Sequence, residues 1–270
     1  MQNKLFLLIF LLALSFGLVR AQQASVAVSP ASIDAKVKGG MSYTQNFIIT
    51  NNTGSALKFR LSVNDLWYDE QNKRVTGRPG TLPRSASLWI QFTPAEVVIK
   101  ANGSAVVKAV ITVPKGATGS FYSVPVFEGL PVEIPDKSAN NSTASIGVRF
   151  LGLMQFTTEE GAEYNVEIMD GKISPPLASS MMELSLNLRN RGSAHAKVRG
   201  TFAILNAAGV LAGRGNIEEK KYMPGQRNLI KSKWAGDLKP GKYVCLVTLS
   251  YNRVSLEPAS MSYEIPFEVK

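Results

Sequence analysis

Polar residues alternate with apolar or β-branched residues along nearly the whole chain after residue 24, and this period of two constrains the fold most. Alternating side chains lie on opposite faces of a β-strand, so each such segment can bury one face and expose the other. In the first half we predict strands at 25–29, 43–50, 57–64, 87–92, 95–100, 104–113, 120–129 and 145–156. In the second half we predict them at 162–170, 181–190, 196–206, 228–236, 242–251 and 260–270.

Turn-forming residues separate these segments, for example KGG at 38–40, NNTGS at 51–55 and KPGK at 239–242. Short strands at regular spacing, with no convincing helical period, are typical of a β-sandwich. Polarity rises at TTEEGA, residues 157–162. We therefore predict an all-β chain of two tandem immunoglobulin-like β-sandwich domains, at 22–157 and 163–270, joined by a short linker.

Residues 1–21 read as a cleaved secretory signal peptide. Lys4 precedes an apolar run from Leu5 to Val19, and Val19 and Ala21 suit a cleavage site after Ala21. An uncleaved signal anchor is the alternative, although the run is shorter than the roughly 20 residues that span a bilayer. No later segment is apolar enough to span, so we expect a periplasmic or secreted protein.

The residue inventory restricts the chemistry that the chain can perform. It has one cysteine, Cys245, and one histidine, His195, which excludes an internal disulfide and the usual zinc sites. We expect His195 in an exposed loop, since no GxSxG motif suggests a nucleophile for it to activate. Cys245 alternates with apolar residues, and Tyr243 before it resembles the tyrosine corner of immunoglobulin-like domains. We predict no enzyme, no cofactor and no metal site; the acidic cluster near Asp65 matches no calcium loop.

The net charge of +10, about +8 without Lys4 and Arg20, is spread along the chain. A solvated basic surface explains it, with contact to an anionic envelope polymer as the alternative. Aromatic and basic residues are not interleaved in the way that nucleic-acid binding requires, so we expect no nucleic-acid partner.

Several motifs occur in an order that resembles the PapD-like periplasmic chaperones of pili and fimbriae. They are VSPASI, FIITNNTG, SLWIQFTPAEVVIKANGSAVVKAVI, FYSVPVFEGLPVEIP and SIGVRFLGLMQF, within residues 25–156. The resemblance implies two immunoglobulin-like sandwiches and the capture of an exported pilus or surface subunit by β-strand addition. In that mode backbone hydrogen bonds give affinity and alternate side chains fill pockets.

The resemblance places the partner-binding residues on the last strand of the first domain. The candidates on one face are Ile146, Val148, Phe150 and Met154, followed by Phe156, with Arg149 as the basic residue of the strand. The alternative is that these apolar residues are the sandwich's own core. The family's arginine–lysine pair that grips a subunit carboxylate has no complete counterpart, because VSPASIDAKV lacks arginine and FTTEE replaces the usual strand ending. A buried Arg149 would need a partner, either a ligand carboxylate or an internal aspartate such as Asp65.

The whole chain also resembles exported two-domain surface proteins that interact with tryptophan-leucine motif proteins. The shared features include ITVPKG, GSFYSVPVFEG and, in the second half, ELSLNLRNRGSAHAKVRGTFAI followed by MPG and KPGKY. This resemblance implies the alternative function, a structural cell-surface or wall-interaction protein that uses the sandwiches as a scaffold.

Overall fold

A computed structural model describes residues 26–69, 72–131, 147–177, 180–251 and 258–270. Their architecture is all-β, and the one helical element among them is a short 3₁₀ turn at Ser87–Trp89. The signal peptide predicted at 1–21, and Ile146, lie outside the described residues. None of the described residues forms a helix with the length and apolar character needed to cross a bilayer.

The first half contains eleven strands. They are β1 (Val26–Ser29), β2 (Ser32–Val37), β3 (Ser42–Asn51), β4 (Leu57–Tyr68), β5 (Arg74–Gly77), β6 (Ile90–Thr93), β7 (Glu96–Ile99), β8 (Gly103–Thr112), β9 (Ser120–Pro131), β10 (Val148–Leu151) and β11 (Leu153–Thr158). One sheet has the order β1-β3-β8-β6, and the other has the order β2-β11-β9-β4-β5, with β10 paired to β9 and β7 to β4.

The second half contains seven strands. They are β12 (Val166–Ser174), β13 (Met182–Asn190), β14 (Ala196–Asn206), β15 (Leu211–Tyr222), β16 (Arg227–Trp234), β17 (Gly241–Tyr251) and β18 (Ala259–Val269). They form a sheet with the order β12-β13-β16 and a sheet with the order β15-β14-β17-β18. The two halves are thus tandem immunoglobulin-like β-sandwiches, as the alternation predicted.

Each sandwich has its own core, built from the inward-facing residues of its strands. In the first, Phe127 packs against Phe47 and Phe92, with ring centroids 5.3 and 5.6 Å away. In the second, the alternate residues of β13 from Met182 to Leu188 are fully buried and lie in one cluster with Cys245. Burying a large apolar side chain stabilises a fold by roughly 1.5–3 kcal/mol, so these contacts hold each sandwich together.

Three strands were not predicted from the sequence: β2, β5 and β15. In β15 the sequence LAGRGNIEEKKY has no clean alternation because glycine occupies two inward positions. A Cβ atom built at Gly215 would lie 2.4 Å from the Phe202 ring, and one at Gly213 would lie 2.5 Å from Trp234. The glycines therefore make room for aromatic rings. Residues 87–89, predicted as strand, form the 3₁₀ turn.

Candidate functional site

The last strand of the first sandwich is divided into two segments with different surroundings. β10 and β11 keep one continuous antiparallel register with β9, from Val148 opposite Gly129 to Thr157 opposite Ser120. β11 is also paired on its other edge, because β2 runs parallel to it from Ser32 to Val37. β10 has β9 on one side and no described strand on the other. The strand is therefore closed along β11 and open along β10.

The open edge results from the route of the chain at its first two strands. β1 pairs with β3 in one sheet, whereas β2 pairs with β11 in the other. The chain joins the sheet of β11 only after Pro30 and Ala31, so the residues that pass the level of β10, those of β1, belong to the other sheet. β1 lies near β10 but is hydrogen-bonded to β3, so no described strand pairs with the free edge of Val148–Leu151.

The direction of the backbone groups along β10 follows from two hydrogen bonds just beyond it. The N–H of Gly152 donates to the carbonyl of Pro125 in β9 (2.9 Å), and the N–H of Leu153 donates to Ala31 on the opposite side (3.1 Å). Backbone groups alternate between the two edges of a strand. Val148 and Phe150 therefore direct their N–H and C=O groups toward β9, and Arg149 and Leu151 direct theirs toward the open edge.

The apolar residues predicted to bind a partner lie on the core side of this strand. Val148 and Phe150 are half-buried, and the Phe150 ring lies 6.2 Å from that of Phe127. Met154 is fully buried, at 0% exposure, on a segment paired along both edges. Met154 is therefore a core residue, which corrects its assignment as a partner contact, and Phe156 beyond it is buried as well.

The opposite face of β10 carries Arg149 and Leu151. Leu151 is 48% exposed, although the alternation that selected Val148 and Phe150 passed over it. Arg149 is exposed, so it needs no buried counter-ion. Asp65, considered above as its partner, belongs to a different site.

Arg149 stands at the end of a row of charged residues that crosses the sheet. Arg149 is the register partner of Glu128 on β9, Glu128 of Arg60 on β4, and Arg60 of Glu96 on β7. Arg60 forms an ion pair with Glu96 at 3.1 Å, and Lys58 forms another at 2.6 Å. Hydrogen bonds from Lys58 and Arg60 lower the pKa of Glu96. Charges therefore alternate in sign from β7 to β10.

Asp65 is completely buried beneath the loop that follows β5. Its carboxylate accepts hydrogen bonds from the backbone N–H groups of Gly80, Thr81 and Leu82, at 3.0, 2.6 and 2.7 Å. The hydroxyl groups of Ser85 and Ser87 donate to it as well. Burial raises the pKa of Asp65, but the hydrogen bonds, first those of Ser85 and Ser87, outweigh burial and leave the pKa below its ordinary value. Asp65 thus fixes the loop.

A second polar cluster, in which His195 and Gln155 are buried and Asp34 is exposed, joins the two sandwiches. Asp34 on β2 lies 3.2 Å from Lys221 Nζ and 3.5 Å from His195 Nε2, and Lys221 also donates to Gln155 at 2.8 Å. A hydrogen bond from His195 holds the pKa of Asp34 well below its usual range, and the charge of Lys221 adds to this effect. His195 is only 8% exposed, which corrects its prediction as an exposed loop residue.

Backbone contacts reinforce this junction. The N–H of Ser120 donates to the carbonyl of Ser193 (2.9 Å), and the N–H of His195 donates to Ser120 Oγ (3.0 Å). The neighbouring Tyr122 is almost fully buried and lies within 3.4 Å of His195 Nδ1. Burial raises the pKa of Tyr122 far above its ordinary value. The group holds the two domains in contact.

The remaining residues singled out in the sequence have structural surroundings. Cys245 is buried in the core of the second sandwich, and this burial raises its thiol pKa to about 11. Tyr243 donates from its hydroxyl group to the carbonyl of Lys239 at 2.9 Å, which confirms the tyrosine corner. Within the described ranges, no three His, Cys, Asp or Glu side chains are placed to hold a metal ion.

No protein-family model and no curated protein matches the chain. Among solved structures, it is similar to a chain of the chaperone–tip adhesin complex of CFA/I fimbriae biogenesis, with 14% identity and a TM-score of 0.48. It is also similar to the class 5 fimbriae chaperone CfaA, with 13% identity and a TM-score of 0.47; each match covers 89% of this chain and 98% of the other. A third match is a chain of the CsuC–CsuE chaperone–tip adhesion subunit complex of Acinetobacter baumannii, with 12% identity, a TM-score of 0.42, and 88% and 98% coverage.

Proposed function

We propose that this protein is a non-catalytic, chaperone-like binding protein that captures an exported pilus or surface subunit by β-strand addition. The predicted signal peptide would place this activity in the periplasm or outside the cell. The observation that carries the proposal is the edge of β10, where Arg149 and Leu151 direct their backbone groups away from β9 and no described strand pairs with them.

A sheet edge of this kind is a template for another strand. β2 pairs with the edge of β11 that faces away from β9. A strand added to the same edge of β10 would therefore extend the line of β2 from Leu153 toward Val148. Its backbone would bond with Arg149 and Leu151. Its inward side chains would pack beside Val148 and Phe150, which the sandwich leaves only half-buried.

The site residues of this proposal are Val148 and Phe150 on the core side, Arg149 and Leu151 on the outer side, and Ile146, which remains a prediction from the sequence. Met154 supports the site from within the core. The alternative function, a structural scaffold of the cell surface or wall, makes no use of the β10 edge, so an experiment on this edge separates the two.

The substitution Leu151→Pro tests strand addition directly. Proline removes an N–H group that faces the open edge and leaves the hydrogen bonds to β9 in place, since those come from Val148 and Phe150. We expect the variant to bind at least about tenfold more weakly, because the added strand would leave a carbonyl without its donor. The probe is a ten-residue peptide of alternating valine and threonine with a neutral Gly-Ser tail, measured by fluorescence anisotropy.

Thr76→Pro is the matched control. The N–H of Asp69 donates to Lys73, so the alternation along the β4–β5 hairpin directs the N–H of Thr76 to the outer edge of β5. Thr76 is exposed, and no described strand pairs with that edge. We expect Thr76→Pro to bind as the unsubstituted protein does. Equal loss in both variants, or no binding of the peptide to the unsubstituted protein, would contradict strand addition at β10 and favour the scaffold function.

A further inference from the structure

The row of charged residues that ends at Arg149 is not used by the proposed function as stated. It comprises Glu96, Arg60, Glu128 and Arg149 in direct register across four neighbouring strands. All four side chains lie on the outer face of the sheet, and Arg149 is the last of them before the open edge. A strand added at that edge would supply the next member of the row.

Cross-strand neighbours favour opposite charges, and like charges directly opposite each other are destabilising. Every step of this row obeys that preference, from the acid on β7 to the base on β10. Within the described part of the chain, Arg149 forms no ion pair, although Arg60 and Lys58 both pair with Glu96. The charge of Arg149 is therefore available to a residue on its open side.

The next row on the same face, which ends at Leu151, has an apolar residue at the open edge where the first row has a charged one. Ser62 on β4 is opposite Val126 on β9, and Val126 is opposite Leu151 on β10. Val126 is 2% exposed, whereas Leu151 is 48% exposed. Val126 is buried in a cluster with Tyr122, Val124 and Met223, whereas Leu151 is left uncovered at the edge. An apolar neighbour on the added strand would cover Leu151.

We propose that the strand captured at β10 carries an aspartate or glutamate opposite Arg149 and an apolar residue two positions away, opposite Leu151. This inference rests on the proposed function and adds the chemistry of the partner to it. It holds for a strand of either direction, because the residue directly opposite Arg149 lies on the same face of the sheet in both cases.

Three peptides test the inference by fluorescence anisotropy at low salt. The parent is the alternating valine–threonine peptide; in the other two, glutamate or lysine replaces the central threonine, and leucine replaces the threonines on either side. We expect the glutamate peptide to bind three- to tenfold more tightly than the lysine peptide, as expected for one exposed cross-strand charge pair. The difference in affinity between the glutamate and lysine peptides should decrease in 0.5 M NaCl, because salt screens exposed charges.

The variant Arg149→Glu should reverse the preference for the glutamate peptide. The variant Arg149→Gln should abolish that preference, and it places no like charge opposite Glu128. Lys108→Glu is the control for net charge, because Lys108 is exposed on β8 in the opposite sheet. It should leave the preference unchanged. Equal binding of the two charged peptides, or the same preference in Arg149→Gln as in the unsubstituted protein, would overturn the charge inference alone. Failure of all three peptides to bind would overturn strand addition and the inference with it.

Discussion

At the scale of single residues, Asp65 shows how one buried carboxylate organises a long loop. Five donors from the segment between Gly80 and Ser87 converge on it, and no cation lies among them. A buried charge is tolerated when hydrogen bonds replace its hydration, and it becomes costly when they are lost. The loop that follows β5 therefore depends on the ionised state of one side chain.

We expect Asp65→Asn to destabilise the protein by about 2–4 kcal/mol at pH 7, because the amide cannot accept all five hydrogen bonds. The pKa of Asp65 is lowered in the folded state, so its contribution is full above the ordinary value of about 4 and is lost as the pH falls through the lower folded value. The difference in free energy of unfolding should therefore narrow from pH 7 to pH 3.

Urea denaturation at several pH values measures this difference. Glu264→Gln, which replaces an exposed carboxylate on β18, is the control and should change stability by less than about 0.5 kcal/mol. A difference between Asp65→Asn and the unsubstituted protein that stayed constant down to pH 3 would contradict the role given to the charge.

Local sequence patterns predicted some single residues well and others badly. Tyr243 and Cys245 were predicted correctly because their environment is set by the strand that contains them. His195 was predicted to be exposed, since RGSAHAKV contains turn-forming and polar residues. Its burial arises from contact with Asp34 and Tyr122, which lie more than 70 positions away in the sequence and belong to the other sandwich.

At the scale of strands, the division between β10 and β11 determines which amide groups are protected. The N–H groups of Arg149 and Leu151 face the open edge, whereas that of Leu153 donates to Ala31 and that of Phe150 faces β9. Amide exchange reports such differences because a hydrogen-bonded N–H exchanges only after the bond opens.

We therefore expect the amides of Arg149 and Leu151 to exchange at least about a hundredfold faster than those of Phe150 and Leu153. Hydrogen exchange followed by NMR measures each rate separately. On addition of the valine–threonine peptide, the amides of Arg149 and Leu151 should become protected, while Thr76 on β5 should not change. Protection of Arg149 and Leu151 in the free protein would show that their edge is already occupied.

Alternation predicted which residues of the last strand share a face, but it did not predict which side of that strand is covered. Val148, Phe150 and Met154 do lie on one face. Their different burial depends on β2, whose pairing with the last strand begins at Leu153 and so covers Met154 but not Phe150. The sequence SIDAKV of β2 is short and charged, so it was not recognised as a strand. The row from Glu96 to Arg149 depends on the pairing of four strands, which no local pattern contains.

At the scale of the whole molecule, Gly119 lies where the two sandwiches come into contact. Its φ is +95°, and a Cβ atom built on it would lie 2.4 Å from the carbonyl oxygen of Ser193. That carbonyl accepts the N–H of Ser120, so the space beside Gly119 is needed for a backbone hydrogen bond between the domains. Glycine is therefore required here by conformation and by space together.

We expect Gly119→Ala to weaken the junction and to destabilise the protein by about 2–3 kcal/mol, since the backbone of Ser193 must move away. Gly116→Ala is the matched control: its φ of +79° gives a similar conformational cost of about 1 kcal/mol, but nothing lies within 4 Å of the built Cβ. Thermal unfolding measures the stability of each variant, and small-angle X-ray scattering measures whether the two domains stay in contact. Equal effects of the two variants would contradict the close packing at the junction.

The number and kind of domains followed from the sequence, because two sets of alternating strands separated by a polar segment leave few other folds. The docking of the domains did not follow from it. Asp34, Lys221 and Gln155 come from three strands that are far apart in the sequence, and each is typical of a surface residue within its own segment.

The crossing of the chain from one sheet to the other at Pro30 and Ala31 has a consequence for how this protein responds to amino-acid substitution. The gap beside β10 is made by the path of the main chain and not by the identity of any side chain. Point mutations can alter what fits the gap, but few can close it. Under the proposed function, substitutions that change which strand binds would therefore leave the open edge itself intact.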